Sequence, residues 1–308
     1  MVHGFRHLRA AVLGIALCPG LASLVLAQDA ADWKEVANWK VEAPPNSVQL
    51  VSIEPFTSDS MTFTFKNISE RTILEFWVFK QDGNGMDGVG KGMNAFITGA
   101  GAIAPGATVA VGFGVRELSG GNQSDRSLRI EAIVYTDGTR VGSKKQLDKI
   151  EEEMIGAALE TKRDANLLAA SPDPSVDGFD AIAEKTARTL QSPAKEIKLD
   201  GLMAEEITAS VSGIGLSGIP QSYIDAHLNH PDFNFLHGVI NARQLFLSNM
   251  NQAKSDTTLP ATGSQARREL MKQLQSHALA DLAQKYSSVC EGQTQVIRAF
   301  IAASDPGN

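Results

Sequence analysis

The chain has 308 residues, of which 43% are hydrophobic and 20% are charged. This composition excludes an intrinsically disordered chain and leaves room for two ordinary domains of about 100–200 residues each. The formal net charge of −7 argues against nucleic acid and anionic membrane surfaces as partners, because both attract basic patches.

Residues 1–27 have the pattern of a cleavable secretory signal peptide. A short basic start without an acidic residue is followed by apolar runs at 10–17 and 21–26. Val25 and Ala27 stand at the two positions that a signal peptidase reads, so cleavage is predicted after Ala27. An uncleaved membrane anchor is the alternative, but the apolar stretch is shorter than the roughly 20 residues that a bilayer requires.

Export to the periplasm or the exterior follows from this signal peptide. Its removal takes away two arginines and changes the formal net charge from −7 to −9. No later segment is apolar enough to span a membrane, so no transmembrane helix is expected after cleavage. Only Cys290 then remains, which excludes an internal disulfide and favours a buried thiol.

After an N-terminal segment at 28–45, residues 46–142 have the pattern of short antiparallel strands. Residues 61–66 alternate apolar and polar side chains, which is the period of a half-buried strand. Further strands are predicted at 48–53, 73–79, 95–98, 109–115 and 128–135. Pro105-Gly106 fits the centre of a type II turn, and Asp137-Gly138 is a hairpin signal. Short strands at regular spacing predict an antiparallel β-sandwich.

Two runs in this region carry a resemblance to a known class of module. Phe65-Lys66-Asn67-Ile68-Ser69 precedes one strand, and the run at 103–108 leads into another. Together they resemble bacterial exported immunoglobulin-like or fibronectin-like modules. The resemblance covers residues 46–142, about a third of the chain. It implies an immunoglobulin-like β-sandwich but no particular function, because folds of this kind host many functions.

Residues 143–308 change to a helical pattern. Apolar residues recur at spacings of three and four from Leu147 to Leu168, with the acidic run 151–153 mostly outside. Further helices are predicted at 179–190, 199–211, 223–228, 236–250, 265–287 and 294–303, with a polar linker at 255–264. The predicted fold class is α+β in separate regions: an N-terminal antiparallel β-sandwich followed by an all-helical C-terminal region.

The best candidate for a chemical site is a histidine cluster. His227, His230 and His237 lie within eleven residues, with Asp232 among them. Imidazole binds zinc, copper and iron, and two histidines three residues apart can share a helix face. The favoured interpretation is a corner between two helices, in which Asp232 caps the second helix and no cofactor is bound. The alternative is a metal site on these four residues that holds a transition metal.

Other motifs lack the context that their chemistry requires. The pattern G-x-G-x-x-G occurs at 83–88 and 213–218, but neither copy lies between a strand and a helix, as dinucleotide binding requires. No Glu stands between His227 and His230, so the helical zinc-protease motif is missing. The sequence contains no complete catalytic motif.

The leading functional hypothesis is a non-enzymatic exported protein that binds an unknown protein or envelope partner. The alternative is a metal-binding protein or metal-dependent hydrolase that uses the histidine cluster. A homo-oligomer formed through the amphipathic helices at 144–169 and 265–287 is a third hypothesis.

Overall fold

The computed structural model describes residues 39–57, 60–81, 91–98, 101–114, 127–170, 176–187, 201–258 and 264–304. The predicted signal peptide at 1–27 lies outside these described residues. Within them, every strand precedes residue 143 and every helix but a four-residue one follows it. This order of strands and helices is that of an α+β chain.

The described strands form two sheets. The strands of the first sheet are β1 (Lys40–Glu42), β4 (Ile73–Gln81), β5 (Lys91–Asn94), β7 (Ser127–Tyr135) and β8 (Arg140–Gly142). Their order is β1-β7-β4-β5, and β8 also pairs with β7. The second sheet has the order β2-β3-β6, with β2 (Val48–Thr57), β3 (Ser60–Asn67) and β6 (Thr108–Gly114). Neighbouring strands are antiparallel except β1 and β7, which are parallel.

Residues of both sheets share one hydrophobic core. Phe65 of β3 and Phe76 of β4 are fully buried, and their ring centroids lie 5.8 Å apart in an edge-to-face arrangement. Phe63 contacts Trp39 and Phe113 in the same way, at 4.8 Å and 5.4 Å. Edge-to-face aromatic pairs stabilise a core beyond the area that they bury.

Both predicted turns are confirmed. Gly106 has a φ of 77°, and the Ala107 N–H donates to the Ala104 carbonyl at 3.0 Å, as in a type II turn. Gly138 has a φ of 79° between β7 and β8, which form the expected hairpin. The predicted strand at 95–98 is wrong, because β5 ends at Asn94 and a short helix, α1 (Ala95–Thr98), follows it. Ala95, Phe96 and Ile97 are all buried, so the alternation of a half-exposed strand is absent.

The helical part contains six further described helices. They are α2 (Lys144–Ala169), α3 (Val176–Ala187), α4 (Gly201–Val211), α5 (Gln221–Asn229), α6 (Phe233–Thr257) and α7 (Gln265–Ser304). Two predictions are wrong here. The helices expected at 265–287 and 294–303 are one continuous helix of 40 residues, and α6 extends into the stretch expected to be a linker.

The helices pack against residues of the first sheet that lie outside the core shared by the two sheets. Leu74 and Val134 of that sheet join one hydrophobic cluster with residues of α1, α2, α4, α5, α6 and α7. Within this layer α2 and α6 cross at two glycines. A Cβ on Gly156 would lie 2.1 Å from the Phe235 carbonyl oxygen, and one on Gly238 would lie 2.0 Å from the Glu153 carbonyl oxygen. The two backbones therefore touch.

Two predictions concern the helices: that none spans a membrane, and that amphipathic helices form a homo-oligomer. Among the described helices, none is both long and apolar enough to cross a membrane. The apolar face of α2 is buried within the chain, as Ile150, Met154 and Ala158 show. Leu270 and Leu274 of α7 remain exposed. The homo-oligomer stays a prediction, and α7 is the helix that offers it an apolar surface.

Candidate functional site

The predicted histidine cluster lies at the corner between α5 and α6. His230 is exposed and follows the last residue of α5. Asp232 is the N-cap of α6, and its Oδ1 accepts the Phe235 N–H at 2.9 Å. This capping role is the one that the favoured interpretation of the cluster expects, because aspartate satisfies a free N–H at a helix start.

His227 and His237 each contact a different glutamate of α2. His227 Nδ1 lies 2.8 Å from Glu152 Oε2, and His237 Nδ1 lies 3.2 Å from Glu153 Oε1. In the part of the chain that the structure describes, no group of three or more His, Cys, Asp or Glu side chains is placed to hold a metal ion. The metal site on His227, His230, His237 and Asp232 stays a prediction.

The acidic run on α2 fastens this helix to its neighbours. Glu151 accepts the hydroxyl of Tyr223 on α5 and pairs with Arg140 on β8 at 3.1 Å. Glu153 is only 5% exposed, and the Asn241 amide on α6 donates to it at 3.3 Å. The expectation that residues 151–153 lie mostly outside is therefore wrong. The periodicity places them beside the apolar face, where their partners are polar side chains of other elements.

Glu75 and Asp164 are also buried, and each has at least one carboxylate oxygen without a hydrogen-bond partner among the described residues. Trp77 Nε1 donates to Glu75 Oε1 at 2.7 Å, whereas Glu75 Oε2 has no hydrogen-bond partner among the described residues. Burial, helped by the nearby Glu153 carboxylate, raises the pKa of Glu75 to about 8. Burial also raises the pKa of Asp164 well above its ordinary value, with the Glu160 carboxylate as the second cause.

A buried ion pair lies beside Asp164. Arg243 binds Glu160 through two parallel contacts, Nε to Oε1 and Nη2 to Oε2, both at 2.7 Å. All three side chains are fully buried in the packed interior. Such bidentate pairs fix the register of two helices. These groups hold α2 and α6 together, and we assign them no ligand.

A cavity of about 600 Å³ lies where the first sheet meets α7. This volume falls within the range of about 300–1,000 Å³ that is typical of small-molecule sites. Its buried floor consists of Leu74, Ala95, Phe96, Gln293 and Val296. Its exposed rim includes Gly101, Ala102, Thr136, Ser288, Gly292 and Gln295. Of the described residues that line it, none is acidic or basic.

Gln293 is the most buried polar side chain of this cavity, at 3% exposure. Its Nε2 donates to the Phe96 carbonyl at 3.0 Å, while its Oε1 has no hydrogen-bond partner among the described residues. Because a carbonyl can only accept, this contact fixes which end of the amide is nitrogen. The oxygen is left as an acceptor without a donor.

Gly292 occupies the middle of α7 and lines the same cavity. Glycine in a helix interior costs roughly 0.5–1 kcal/mol relative to alanine. Its φ does not lie in the left-handed region, and a Cβ there would meet no heavy atom of the described residues within 4 Å. Neither backbone strain nor close packing therefore requires glycine at this position.

Sequence reasoning missed this cavity. Its walls come from β4, α1, the following loop, the β7–β8 turn and α7, which no local pattern connects. The one local signal is a glycine inside a helical pattern, which often has a packing or functional reason. Comparisons with known proteins add no assignment: no family model, no curated protein and no solved structure matches the chain.

Proposed function

We propose that this chain is an exported, non-catalytic binding protein whose ligand occupies the cavity between the first sheet and α7. The observation that carries the proposal is the lining of this cavity, which combines an apolar floor with neutral polar groups and no acidic or basic side chain among the described residues. A pocket of this kind can bind a ligand, but it lacks the titratable groups that general acid–base chemistry uses.

The strand order supports an immunoglobulin-like sandwich as the framework of this protein. In that fold, strands A, B and E share one sheet, and strands C, F and G share the other. Here β2, β3 and β6 form one sheet, while β4, β7 and β8 adjoin in the other. Under this proposal β2, β3 and β6 correspond to A, B and E, and β4, β7 and β8 correspond to C, F and G.

The experiment that tests the proposal is native mass spectrometry of the protein isolated from the exported fraction of its own host. Gly292→Trp adds a large side chain at a residue that lines the cavity, and Gly112→Trp is the matched control. Gly112 lies on β6, and a Cβ there would likewise meet no described heavy atom within 4 Å. We expect a non-covalent adduct on the wild-type protein and on Gly112→Trp but not on Gly292→Trp.

Two results would overturn the proposed function. One is an adduct that Gly292→Trp retains. The other is a wild-type protein that carries no adduct and shows no thermal shift with a small-molecule extract of the same culture. The same spectra give the mass of the mature chain, and cleavage after Ala27 requires a chain that starts at Gln28. An intact N-terminus would contradict export through this signal.

Metal binding at the α5–α6 corner is the second candidate function. A metal-bound histidine usually places its other ring nitrogen against a carboxylate. The Nδ1 atoms of His227 and His237 both lie beside glutamates in this way. Inductively coupled plasma mass spectrometry of the untagged mature protein measures its metal content and tests this candidate. We expect zinc, copper or iron that the triple alanine variant of His227, His230 and His237 lacks.

The exposed His277 of α7 provides the control for the metal measurement, because His277→Ala removes a histidine far from the corner in sequence. If both variants lose the metal to the same extent, the metal is bound non-specifically. A wild-type protein without metal would exclude the corner as a metal centre.

A further inference from the structure

We infer that the first turns of α7 form a docking surface for a second copy of this chain, and that two such surfaces pair as antiparallel helices around Leu274. This surface shares no residue with the cavity, so it is independent of the proposed ligand. Three features of α7 carry the inference: an overhanging start, an apolar spot on it, and charges that complement those of a second copy.

The first turns of α7 extend beyond the part of the helix that the rest of the chain covers. Among the described residues 264–274 none is buried. Further along the helix, buried residues recur at Gln275, Leu279, Leu282, Tyr286 and Cys290. A helical segment of about ten residues is only marginally stable in water without tertiary packing. A partner that packs on this segment therefore stabilises it.

An apolar spot with charged ends lies on this part of the helix. Leu270 is 48% exposed and Leu274 is 37% exposed, and the two lie one turn apart on the same side of α7. Arg267 and Asp281 stand seven residues before and after Leu274, so all three lie within about 40° of one another around the helix axis. The exposed His277 lies between Leu274 and Asp281. We refer to these five residues as the α7 stripe.

The α7 stripe is complementary in charge to a second copy of itself. When two stripes meet antiparallel on a two-fold axis at Leu274, the two Leu274 side chains face each other. Arg267 of each copy then lies opposite Asp281 of the other, because both residues are about 10 Å from the axis along the helix. Leu270 of each copy lies close to the level of His277 of the other. A parallel pair would instead place like charges opposite each other, which is unfavourable.

A second copy fits this stripe better than an anionic membrane surface does. The stripe contains Asp281, and the predicted mature chain has a formal net charge of −9, so both disfavour anionic lipid. Arg267 also interacts within its own chain, and the several N–H donors of an arginine allow it to serve both contacts.

The size of the contact predicts a weak dimer. Residues 267–281 form about four helical turns, and two such segments bury less than the roughly 1,200–2,000 Å² of stable complexes. We therefore expect the dimer to form only at high protein concentration.

Analytical ultracentrifugation of the mature protein, at concentrations from about 10 μM to about 1 mM, measures this dimer. Leu274→Asp places two carboxylates against each other on the two-fold axis and should abolish it. Ala280→Asp is the matched control, because Ala280 is also exposed on α7 but lies about 120° from Leu274 around the helix axis. We expect Ala280→Asp to dimerise like the wild-type protein.

Charge reversals test the antiparallel orientation. Arg267→Asp and Asp281→Arg each place like charges opposite each other, so each should weaken the dimer at least about fivefold. The double variant restores opposite charges across the contact and should recover the wild-type affinity. Lys272→Asp changes the net charge as Arg267→Asp does, but the exposed Lys272 lies about 160° from Leu274 around the helix axis, so the dimer should stay unchanged. Circular dichroism confirms that each variant is folded.

Four results would overturn the inference. The first is a wild-type protein that stays monomeric at every concentration. The second is a dimer that Leu274→Asp leaves intact, because its contact would then lie elsewhere. The third is a dimer that neither single charge reversal weakens, as a parallel pair predicts. The fourth is a monomer that binds vesicles of anionic phospholipid and loses this binding in Leu274→Asp, which would assign the stripe to a membrane surface.

Discussion

Replacing Gly292 with alanine is expected to stabilise the protein, although it changes a residue that lines the candidate site. Alanine is about 0.8–1.0 kcal/mol more favourable than glycine in a helix interior. At Gly292 the added methyl group meets no described heavy atom within 4 Å, and the φ is not left-handed. No steric cost therefore offsets the gain, and we expect the free energy of unfolding to rise by about 1 kcal/mol.

Urea unfolding followed by circular dichroism measures this change, with Gly156→Ala and Gly238→Ala as matched controls. All three glycines lie inside helices, but a Cβ at Gly156 or Gly238 would lie 2.1 Å or 2.0 Å from a carbonyl oxygen of the opposing helix. Overpacking of this kind costs typically about 1–3 kcal/mol. The same substitution should thus raise the urea midpoint at Gly292 and lower it at the other two positions.

The result that would refute this reasoning is a Gly292→Ala variant that is neutral or destabilised while the controls behave as expected. It would show that a side chain at residue 292 meets steric hindrance. Packing, and not space for a ligand, would then explain the glycine. A stabilised variant with weaker ligand binding would support a ligand at this position, because it would show stability given up for the cavity.

Three further predictions concern buried polar groups. Glu75 binds a proton in the folded state between its ordinary pKa of 4.5 and about 8, so the free energy of unfolding should fall as the pH rises, by up to about 1.4 kcal/mol per pH unit across this window. Glu75→Gln should remove that slope in urea titrations, and an unchanged slope would contradict the assignment. Arg243→Met removes the bidentate partner of the buried Glu160, which keeps its contact with Arg163, and should cost about 1–3 kcal/mol; a second change, Glu160→Leu, should restore part of this loss in a double-mutant cycle. Burial raises the pKa of the Cys290 thiol, so this group should react with a thiol reagent in the mature protein only after unfolding in urea, and rapid reaction of the folded protein would contradict its burial.

Local patterns predicted the strands well. The alternation at 61–66 identified β3, whose Phe63 and Phe65 are fully buried as that alternation requires. Pro105-Gly106 and Asp137-Gly138 marked their turns for a local reason, since proline fixes φ and glycine accepts a positive φ. These signals need only a few neighbouring residues, so the sequence displays them directly.

Tertiary contacts decided the elements that the sequence misjudged. A short run such as 95–98, with three apolar residues followed by a threonine, fits a buried strand or a helical turn equally well by periodicity. A break was predicted between residues 287 and 294 of α7, yet the helix continues through it. Gln293 bonds to the Phe96 carbonyl, and Thr294 Oγ1 donates to the Cys290 carbonyl at 2.7 Å. The contact with α1 holds this segment in place, and it stays helical despite its glycine.

The candidate site also contains one contact that the sequence predicts and others that it does not. Asp232 could be assigned as a helix cap because capping depends on a residue and the three that follow it. The partners of His227 and His237 could not, because Glu152 and Glu153 belong to a helix about 80 residues earlier in the chain, a separation that the sequence alone does not bridge. The cavity could not be predicted either, because no local sequence pattern connects the residues that line it.

The cavity is preformed because α7 is fixed tightly to the sheet on one side of it. A Cβ on Gly138 would lie 2.4 Å from Ala299 Cβ, so the β7–β8 turn rests directly on the helix. The Arg140 guanidinium lies over the Phe300 ring at 4.3 Å, and Phe300 belongs to the cluster shared by the sheet and the helices. These contacts hold Thr136 on the turn and Gly292 on the helix at a set separation. A ligand that enters therefore spends little free energy on ordering the protein, and its affinity depends mainly on how well it fits the floor.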